Sequence, residues 1–387
     1  MPQRLRGLAL ATGLLLLPPS GLAAEKVKLG FVNSMTGPEA PIGENLTHGA
    51  DLAVEDLGRE GIEVELSRQD DGGKQQNAMS AVEELATGEG VAAIVGPYTS
   101  ASANAVVSLA QQYQVPLLIP AAAKEELTRP GKPYVFRLNA PAHVYAEALL
   151  DAVLAVGKPR TIAFIYESTD FGTSVSAAGK ELAARRGLRV VADEAYQQGA
   201  PDYRSTLTRI KALRPDLVFM VSYVADAILL MRQSRELRLE PQAFLGGGAG
   251  FDTAQFQGEH DISELVFSVT QWTPDTGWPG AAEFAARYAA RFGKKPTYHA
   301  ACAYEAGRIA AQAAARVGGD PRKTRDALAA GSFSGILGAV RFESFDGFMN
   351  QNRHAMPVIQ YQDGRAQTVS PPEFARRKPV YPFPGWK

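Results

Sequence analysis

Short, uninterrupted apolar runs alternate with helix-like stretches along most of this chain. Residues 91–95 (Val-Ala-Ala-Ile-Val) and 217–221 (Leu-Val-Phe-Met-Val) are two of these runs, and a loop that opens a helix follows each of them. A strand that is apolar at every position must be covered on both faces, which is typical of parallel sheets flanked by helices. The alternation therefore predicts an α/β fold built on open parallel sheets.

This alternation occurs twice in succession, with the second round starting after Pro141. The strand candidates of the two rounds are residues 27–33, 62–67, 91–95 and 115–119, and then 161–166, 189–192, 217–221, 243–245 and 265–269. A helical block at 281–292 and 300–317 follows, and then two short strand candidates near 340–342 and 358–361. We therefore expect two doubly wound lobes of similar plan.

The first 24 residues have the organisation of a secretory signal. Arg4 and Arg6 precede an apolar run at 7–17, and small residues follow at Gly21 and Ala23. A basic start, a short apolar stretch and a small-residue exit are typical of a cleaved signal peptide, and the run is too short to anchor in a bilayer. We expect residues 1–24 to be removed near Ala23 or Ala24 and the mature chain to function outside the cytoplasm.

The composition argues against several classes of protein. The chain has 40 Lys+Arg against 41 Asp+Glu, so it lacks the basic footprint of a nucleic-acid-binding protein. A single cysteine, Cys302, forms neither an internal disulfide nor a cysteine-based zinc site. No GxSxG, Walker or HExxH motif is present. We therefore expect no enzymatic activity, no cofactor and no metal.

The candidate binding residues lie in the loops after the apolar runs, because ligands of open parallel sheets bind beyond the carboxyl ends of the strands. Tyr98, Thr99 and Ser100 follow the run 91–95, where the free N–H groups of a new helix can bind an anion such as a carboxylate. On sequence alone, the interpretation of Ser100 as merely the N-cap of that helix is the favoured one. The other candidates follow further strands and are Ala121, Ala122, Ala123, Phe171, Tyr223, Gly248 and Trp272.

Several of these other candidates have a structural interpretation beside the binding one. The small side chains at 121–123 let a ligand approach the backbone closely, but they suit an ordinary tight loop as well. Phe171 either lies against a ligand or packs as a hydrophobic staple, and Trp272 forms either cleft wall or hinge packing. Gly248 belongs to the glycine-rich segment 246–250, whose spacing is not that of a dinucleotide-binding loop.

Six segments, in this order and spacing, carry a resemblance to a known family. They are Gly30-Phe-Val-Asn-Ser-Met-Thr-Gly-Pro38, Gln69-Asp-Asp71, Ile94-Val-Gly96, Pro116-Leu-Leu-Ile-Pro-Ala-Ala122, Asp170-Phe-Gly172 and Tyr298-His-Ala-Ala-Cys-Ala-Tyr304. With them the chain resembles the type I periplasmic solute-binding proteins and, more narrowly, the leucine/isoleucine/valine-binding proteins of ABC importers for branched-chain and other hydrophobic amino acids. The resemblance implies two lobes joined by a three-strand hinge, formed by residues 25–141 plus 273–343 and by 142–272 plus 344–387.

The resemblance also implies roles for the candidate residues. The carboxylate of the ligand would be held by Ser100 and by the backbone at Ala121, with Phe171 and Tyr223 facing it from the second lobe. Gly248 stands where the family often has an acid that receives the ammonium of the ligand, so this sequence leaves that role unfilled.

The missing acid bears on the identity of the ligand, because a buried ammonium without a carboxylate partner is costly. We therefore expect a small carboxylate with an apolar body, such as an aromatic or aliphatic organic acid. A hydrophobic amino acid fits if Glu167, Asp170 or Asp252 supplies the missing charge.

The function implied by the resemblance is that of a periplasmic, monomeric solute-binding protein that delivers its small-molecule ligand to an inner-membrane ABC permease. Two alternatives remain open at this point. One is a ligand-sensing receptor that uses the same clamp for an amide or an amino acid, and the other is an exported α/β enzyme.

Overall fold

The computed structural model describes residues 25–386, and the predicted signal peptide at 1–24 lies outside them. The described chain forms two α/β lobes and crosses between them three times. The first lobe starts with β1 (Glu25–Asn33), α1 (Ala40–Arg59), β2 (Ile62–Asp70), α2 (Gln75–Glu84), β3 (Ala93–Val95), α3 (Ser100–Tyr113), β4 (Leu117–Ile119) and β5 (Val135–Arg137).

The chain then builds most of the second lobe before it returns to the first. The second lobe receives α4 (Ala142–Leu154), β6 (Thr161–Glu167), α5 (Asp170–Arg185), β7 (Arg189–Tyr196), α6 (Arg204–Ala212), β8 (Leu217–Val221), α7 (Val224–Glu236), β9 (Ala243–Gly246), α8 (Ala254–Gly258), α9 (His260–Ser263) and β10 (Phe267–Val269). The first lobe is completed by α10 (Ala281–Phe292), α11 (Tyr298–Ala315), α12 (Pro321–Ala330), β11 (Ser332–Gly335), β12 (Gly338–Phe345) and β13 (Phe348–Asn352). The second lobe ends with β14 (Val358–Gln362) and β15 (Arg365–Ser370).

Each lobe has one sheet whose centre is parallel, as the apolar runs predict. The eight-stranded sheet of the first lobe has the order β11-β12-β13-β5-β4-β3-β1-β2, and the seven-stranded sheet of the second has the order β15-β14-β10-β9-β8-β6-β7. The late strands add an antiparallel edge to each sheet, through β11 and β12 in the first lobe and β14 and β15 in the second. The prediction of two doubly wound α/β lobes is confirmed, with sheets that are mixed rather than wholly parallel.

The interior of each sheet explains why its strands read as apolar runs. All five residues of β8 are buried, and Phe219 from this strand stacks on Phe164 of the neighbouring β6 at 5.2 Å between ring centroids. Helices cover both faces of such strands, so no position faces water.

The chain makes its third crossing, from the first lobe to the second, later in the sequence than the sequence analysis predicts. The predicted first lobe ends at residue 343, whereas β13 pairs with β12 and, at Gln351, with Arg137 of β5, so it belongs to the sheet of the first lobe. The cause is a tight hairpin at Asp346 and Gly347, whose φ angles of 49° and 76° reverse the chain within two residues. The third crossing therefore follows Asn352.

Candidate functional site

A small cavity lies between the two lobes, beyond the carboxyl ends of the parallel strands. Its nine lining residues are Tyr98, Ser100, Ala121, Ala122 and Tyr298 from the first lobe and Tyr145, Phe171, Tyr223 and Ala249 from the second. Six of the sequence candidates therefore come together here, namely Tyr98, Ser100, Ala121, Ala122, Phe171 and Tyr223. The sequence reasoning missed Tyr145, Ala249 and Tyr298.

Aromatic rings form most of the wall and close the cavity from solvent. Tyr98 of the first lobe meets Tyr223 of the second edge-on at 6.0 Å, and Phe171 lies 5.5 Å from Tyr223 between ring centroids. Every lining residue is buried, and the volume of the cavity is about 10 Å³. That volume is about the size of one water molecule, so a ligand larger than water enters only when the lobes separate.

Ser100 presents a hydroxyl that can only donate. Thr99 is the N-cap of α3, because its Oγ1 accepts a hydrogen bond from the backbone N–H of Ser102 at 3.1 Å. The Ser100 Oγ, one residue later, accepts from the backbone N–H groups of Ala123 and Lys124, each at 3.2 Å. These two bonds occupy both lone pairs of the hydroxyl oxygen, so its proton is available to an acceptor in the cavity. The alternative in which Ser100 merely caps the helix is therefore wrong.

The loop at residues 123–124 holds the hydroxyl of Ser100 in position and is itself held by Arg137. Arg137 is fully buried and donates to the carbonyl oxygens of Ala123 and Lys124 at 3.3 and 2.5 Å, while the N–H groups of the same two residues bond to Ser100. The sequence candidate Ala123 thus holds Ser100 in place and does not line the cavity.

Gly248 stands behind the cavity and is not part of its lining. Its backbone has φ 86° and ψ −154°, a conformation that essentially only glycine adopts, and a Cβ there would lie 2.9 Å from Cε1 of Tyr145. The ring of Tyr145 therefore occupies the space into which a side chain at 248 would project. The acid that the resemblance leads one to seek at this position has no room in this structure.

The hydroxyl of Tyr145 connects the cavity to the hinge. It accepts hydrogen bonds from the side-chain amide of Asn139 at 3.2 Å and from that of Gln271 at 2.8 Å. Asn139 follows β5, just before the first crossing between the lobes, and Gln271 follows β10, just before the second. The hydroxyl of Tyr298, which also lines the cavity, accepts a hydrogen bond from the backbone N–H of Ala249 at 3.3 Å. Burial raises the pKa of both phenols, so both remain protonated.

The acids that could have supplied a charge for an ammonium lie outside the cavity lining. Glu167 accepts hydrogen bonds from the backbone N–H of Tyr223 and the hydroxyl of Thr169, and burial raises its pKa to about 8. Asp170 forms an ion pair with Lys124 of the other lobe at 2.9 Å. Asp252 lines a separate cavity, and burial raises its pKa to about 6.

Trp272 lies outside the inter-lobe cavity, in contrast to its placement among the binding candidates. It is 2% exposed, packs edge-on against Phe284 of α10 at 5.6 Å, and lines the separate cavity that contains Asp252. The structure agrees with the hinge-packing interpretation of Trp272. The residue lies where the chain crosses back from the second lobe to the first, and it packs there on α10.

Polar contacts outside the cavity link the two lobes in this closed arrangement. Besides the Lys124–Asp170 pair, Glu39 of the first lobe accepts a hydrogen bond from the side chain of Gln198 at 2.6 Å. Glu125 of the first lobe lies 2.7 Å from the ring Nδ1 of His143 on α4. Opening the cavity therefore requires these contacts to break together.

Two further features of residues 25–386 bear on the chemistry of the site. No set of three or more His, Cys, Asp and Glu side chains in this part of the chain converges in a way that could hold a metal ion. Within the same residues, no helix combines the length and the apolar character that a membrane span needs.

Comparison with known proteins agrees with this geometry. A family model described as periplasmic binding protein matches residues 26–366. The Leu/Ile/Val-binding protein homolog 7 of Brucella suis biovar 1 (strain 1330) is 29% identical over 377 residues, which cover 92% of this chain and 94% of that protein.

Solved structures show the same fold at lower identity. The branched-chain amino acid transporter substrate-binding protein LivJ of Streptococcus pneumoniae, in complex with isoleucine, has a TM-score of 0.80 and 22% identity and covers 92% of this chain and 100% of its own. A solute-binding protein of an ABC transporter from R. palustris, in complex with benzoate, has a TM-score of 0.81 and 21% identity and covers 89% of this chain and 96% of its own.

Proposed function

This chain belongs to the periplasmic binding protein family, and we propose that it is the solute-binding component of an ABC importer that captures a small carboxylate between its lobes. The ligand is an aromatic or aliphatic organic acid or a hydrophobic amino acid. The mature chain, cleaved near Ala23 or Ala24, acts as a monomer in the periplasm and delivers the ligand to an inner-membrane permease.

The observation that carries this proposal is the hydroxyl of Ser100. Its oxygen is saturated by two backbone N–H groups, its side chain is 1% exposed, and it stands in the first turn of α3, where the helix leaves N–H groups unpaired. A proton donor at the positive end of a helix favours an anionic acceptor. The aromatic rings around it accommodate the apolar body of that acceptor.

Capture is coupled to closure because both lobes contribute to the lining. Tyr98, Ser100 and Tyr298 come from one lobe and Phe171 and Tyr223 from the other, so a ligand completes its contacts only when the lobes meet. The ligand therefore shifts the open–closed equilibrium by its greater affinity for the closed form. The closed form presents a joint surface of both lobes, which a permease can distinguish from the open form.

The test begins with protein that has been unfolded and refolded to remove any carried-over compound. A thermal-shift panel of hydrophobic amino acids, aromatic acids, short-chain acids and amides should identify a compound that raises the midpoint, and the rise should grow with the logarithm of the ratio of ligand concentration to Kd. Ser100→Ala should weaken binding of a carboxylate hit by about 10-fold or more, as expected for loss of a hydrogen bond to a charged group.

The matched control is Ser108→Ala, which removes an exposed hydroxyl on the same helix. It should leave the affinity unchanged. Equal affinity of the Ser100→Ala variant and the parent protein would contradict the carboxylate assignment. Loss of uptake of the hit on deletion of the gene would separate transport from a sensing role.

A further inference from the structure

Arg137 places a positive charge in the interior of the first lobe. Its side chain is fully buried, and burial lowers its pKa to about 10, so it still carries its charge at neutral pH. A buried charge is costly unless an opposite charge lies beside it. The contacts of Arg137 therefore decide whether the protein itself compensates this charge.

The hydrogen bonds of Arg137 all go to neutral oxygen atoms. The acceptors are two backbone carbonyls and two side chains, namely Ala123 at 3.3 Å, Lys124 at 2.5 Å, the hydroxyl of Thr128 at 3.0 Å and the amide oxygen of Gln351 at 2.6 Å. These bonds fix the guanidinium in place without neutralising it.

The charged groups around Arg137 do not pair with it within residues 25–386. Glu125 and Glu126 are the acids that act on its charge, Glu125 more strongly, and neither forms an ion pair with it. Glu125 lies instead 3.6 Å from the guanidinium of Arg129. The ring of Phe348, centred 5.7 Å from the guanidinium carbon of Arg137, adds a cation–π contact but no negative charge. The charge of Arg137 therefore lacks a direct anionic partner in the described part of the chain.

One peptide group connects this charge to the inter-lobe cavity. The peptide group between Ala123 and Lys124 has its carbonyl oxygen 3.3 Å from Nη1 of Arg137, and its N–H donates to the Ser100 Oγ at 3.2 Å. Hydrogen bonds in a chain polarise one another, so the bond from Arg137 makes this N–H a stronger donor. Ser100 lines the cavity, and its hydroxyl becomes a stronger donor in turn.

We propose that Arg137 is the positioning residue that gives the site its preference for an anion, acting on the ligand through the peptide group between Ala123 and Lys124 and the hydroxyl of Ser100. This inference rests on the proposed function, since it names the source of the charge preference of the same cavity. Arg137 is not part of the cavity lining, so it acts at a distance and not by contact.

The length of this path sets the size of the effect. Two hydrogen bonds of 3.3 and 3.2 Å and one peptide group separate the guanidinium from the hydroxyl of Ser100, so a ligand oxygen bonded to that hydroxyl is about 10 Å from the charge. At that separation and an effective dielectric constant of about 20, one unit charge changes the affinity for an anion by roughly 10-fold. The affinity for a neutral ligand of the same shape changes far less. The ratio of the affinities for an acid and for its amide therefore measures the contribution of Arg137.

Two acids and their primary amides serve as probes for calorimetry on refolded protein: benzoate with benzamide, and 4-methylpentanoate with 4-methylpentanamide. The pair whose acid binds more tightly to the parent protein is then used for the variants. Arg137→Met should lower the acid-to-amide affinity ratio by about 10-fold, whereas Arg137→Lys, which keeps the charge, should retain most of it. A side chain that only braced the loop would weaken the acid and the amide alike and leave the ratio unchanged.

A second pair of variants changes the charge and leaves Arg137 in place. Thr128 is fully buried and its hydroxyl accepts from Arg137 at 3.0 Å, so Thr128→Asp sets a carboxylate beside the guanidinium. This variant should also lower the acid-to-amide ratio, by up to about 10-fold. Thr128→Asn is the matched control, because it has nearly the same shape as the aspartate variant without the charge, and it should leave the ratio unchanged. This pair decides the question if Arg137→Met does not fold.

The possible outcomes separate this inference from the proposed function. An acid-to-amide ratio that is unchanged in Arg137→Met and in Thr128→Asp, while binding of the acid still depends on Ser100, would overturn the inference and leave the proposed function standing. A ratio that falls equally in Thr128→Asp and Thr128→Asn would also overturn the inference. A parent protein that binds neither acid at millimolar concentration, or that binds the amides more tightly than the acids, would overturn both.

Discussion

Glu167 lies at the end of β6, fully buried, and its protonation should make the stability of the protein depend on pH. Burial is the largest cause of a pKa of about 8, and the nearby charges of Asp226 and Glu39 raise it further. In the unfolded chain the same carboxyl ionises near pH 4.5. Between these two values the folded state binds the extra proton, so the free energy of unfolding falls as the pH rises.

The size of this effect follows from the separation of the two pKa values. Each unit of separation corresponds to about 1.4 kcal/mol, so about 3 kcal/mol of stability is lost between pH 4.5 and pH 7. Glu167→Gln removes the titration and keeps the shape of the protonated side chain. The amide oxygen can accept from the N–H of Tyr223, and the amide nitrogen can donate to the hydroxyl of Thr169, so both native contacts have a counterpart.

The variant should therefore be more stable than the parent by about 2–3 kcal/mol at pH 7 and by less than about 1 kcal/mol at pH 5. Urea unfolding followed by circular dichroism at both pH values measures this difference. Glu63→Gln, which neutralises an exposed carboxylate on β2, is the control and should not change the pH dependence in the same way. A Glu167→Gln variant that is less stable at pH 7, or whose advantage is equal at both pH values, would refute the reasoning.

Two further substitutions test the contacts around the site. Lys124→Met removes the ion pair with Asp170 between the lobes, in which the side chains are 20% and 29% exposed. Because partly exposed pairs contribute up to about 1 kcal/mol, calorimetry should show ligand affinity reduced by up to about 5-fold, and an unchanged Kd would contradict a role in closure. Thr99→Ala removes the N-cap of α3 and should lower the free energy of unfolding by about 1 kcal/mol. Urea unfolding measures this loss, and a stability equal to that of Ser108→Ala would contradict it.

The architecture of the lobes follows from local sequence signals, because a strand buried on both faces must be apolar throughout. The runs that form β6, β8 and β9 illustrate this, and each is buried along its length or nearly so. The boundary after β13 was mispredicted for a local reason as well. The Asp346-Gly347 pair is a strong hairpin signal, but the strand that follows it, β13, has only five residues, and Asn350, Gln351 and Asn352 among them are polar.

Some residues of the candidate site could be predicted from local sequence, and others depend on contacts between distant parts of the chain. Ser100, Ala121, Phe171 and Tyr223 could be named from the sequence because each follows a strand end, where the topology of a parallel sheet brings loops together. Tyr145 and Tyr298 could not be named by this rule, since α4 begins after the first crossing and α11 follows another helix, α10, rather than a strand. Their hydroxyls accept hydrogen bonds from Gln271 and Ala249, which are distant in sequence.

The choice between Thr99 and Ser100 as the helix cap also depended on geometry. Both residue types cap helices well, so the sequence leaves the two equivalent. The extended backbone of Thr99, with φ −73° and ψ 147°, makes it the residue before the first turn, and this assignment frees Ser100 for the cavity.

A crystal structure of the protein with the carboxylate that the thermal-shift panel identifies would test most directly whether an anion is trapped between the lobes. We expect the carboxylate within hydrogen-bond distance of the Ser100 Oγ and rings from both lobes around the apolar body of the ligand. A ligand bound instead in the cavity lined by Trp272 and Asp252, or bound with its carboxylate away from Ser100, would contradict the account.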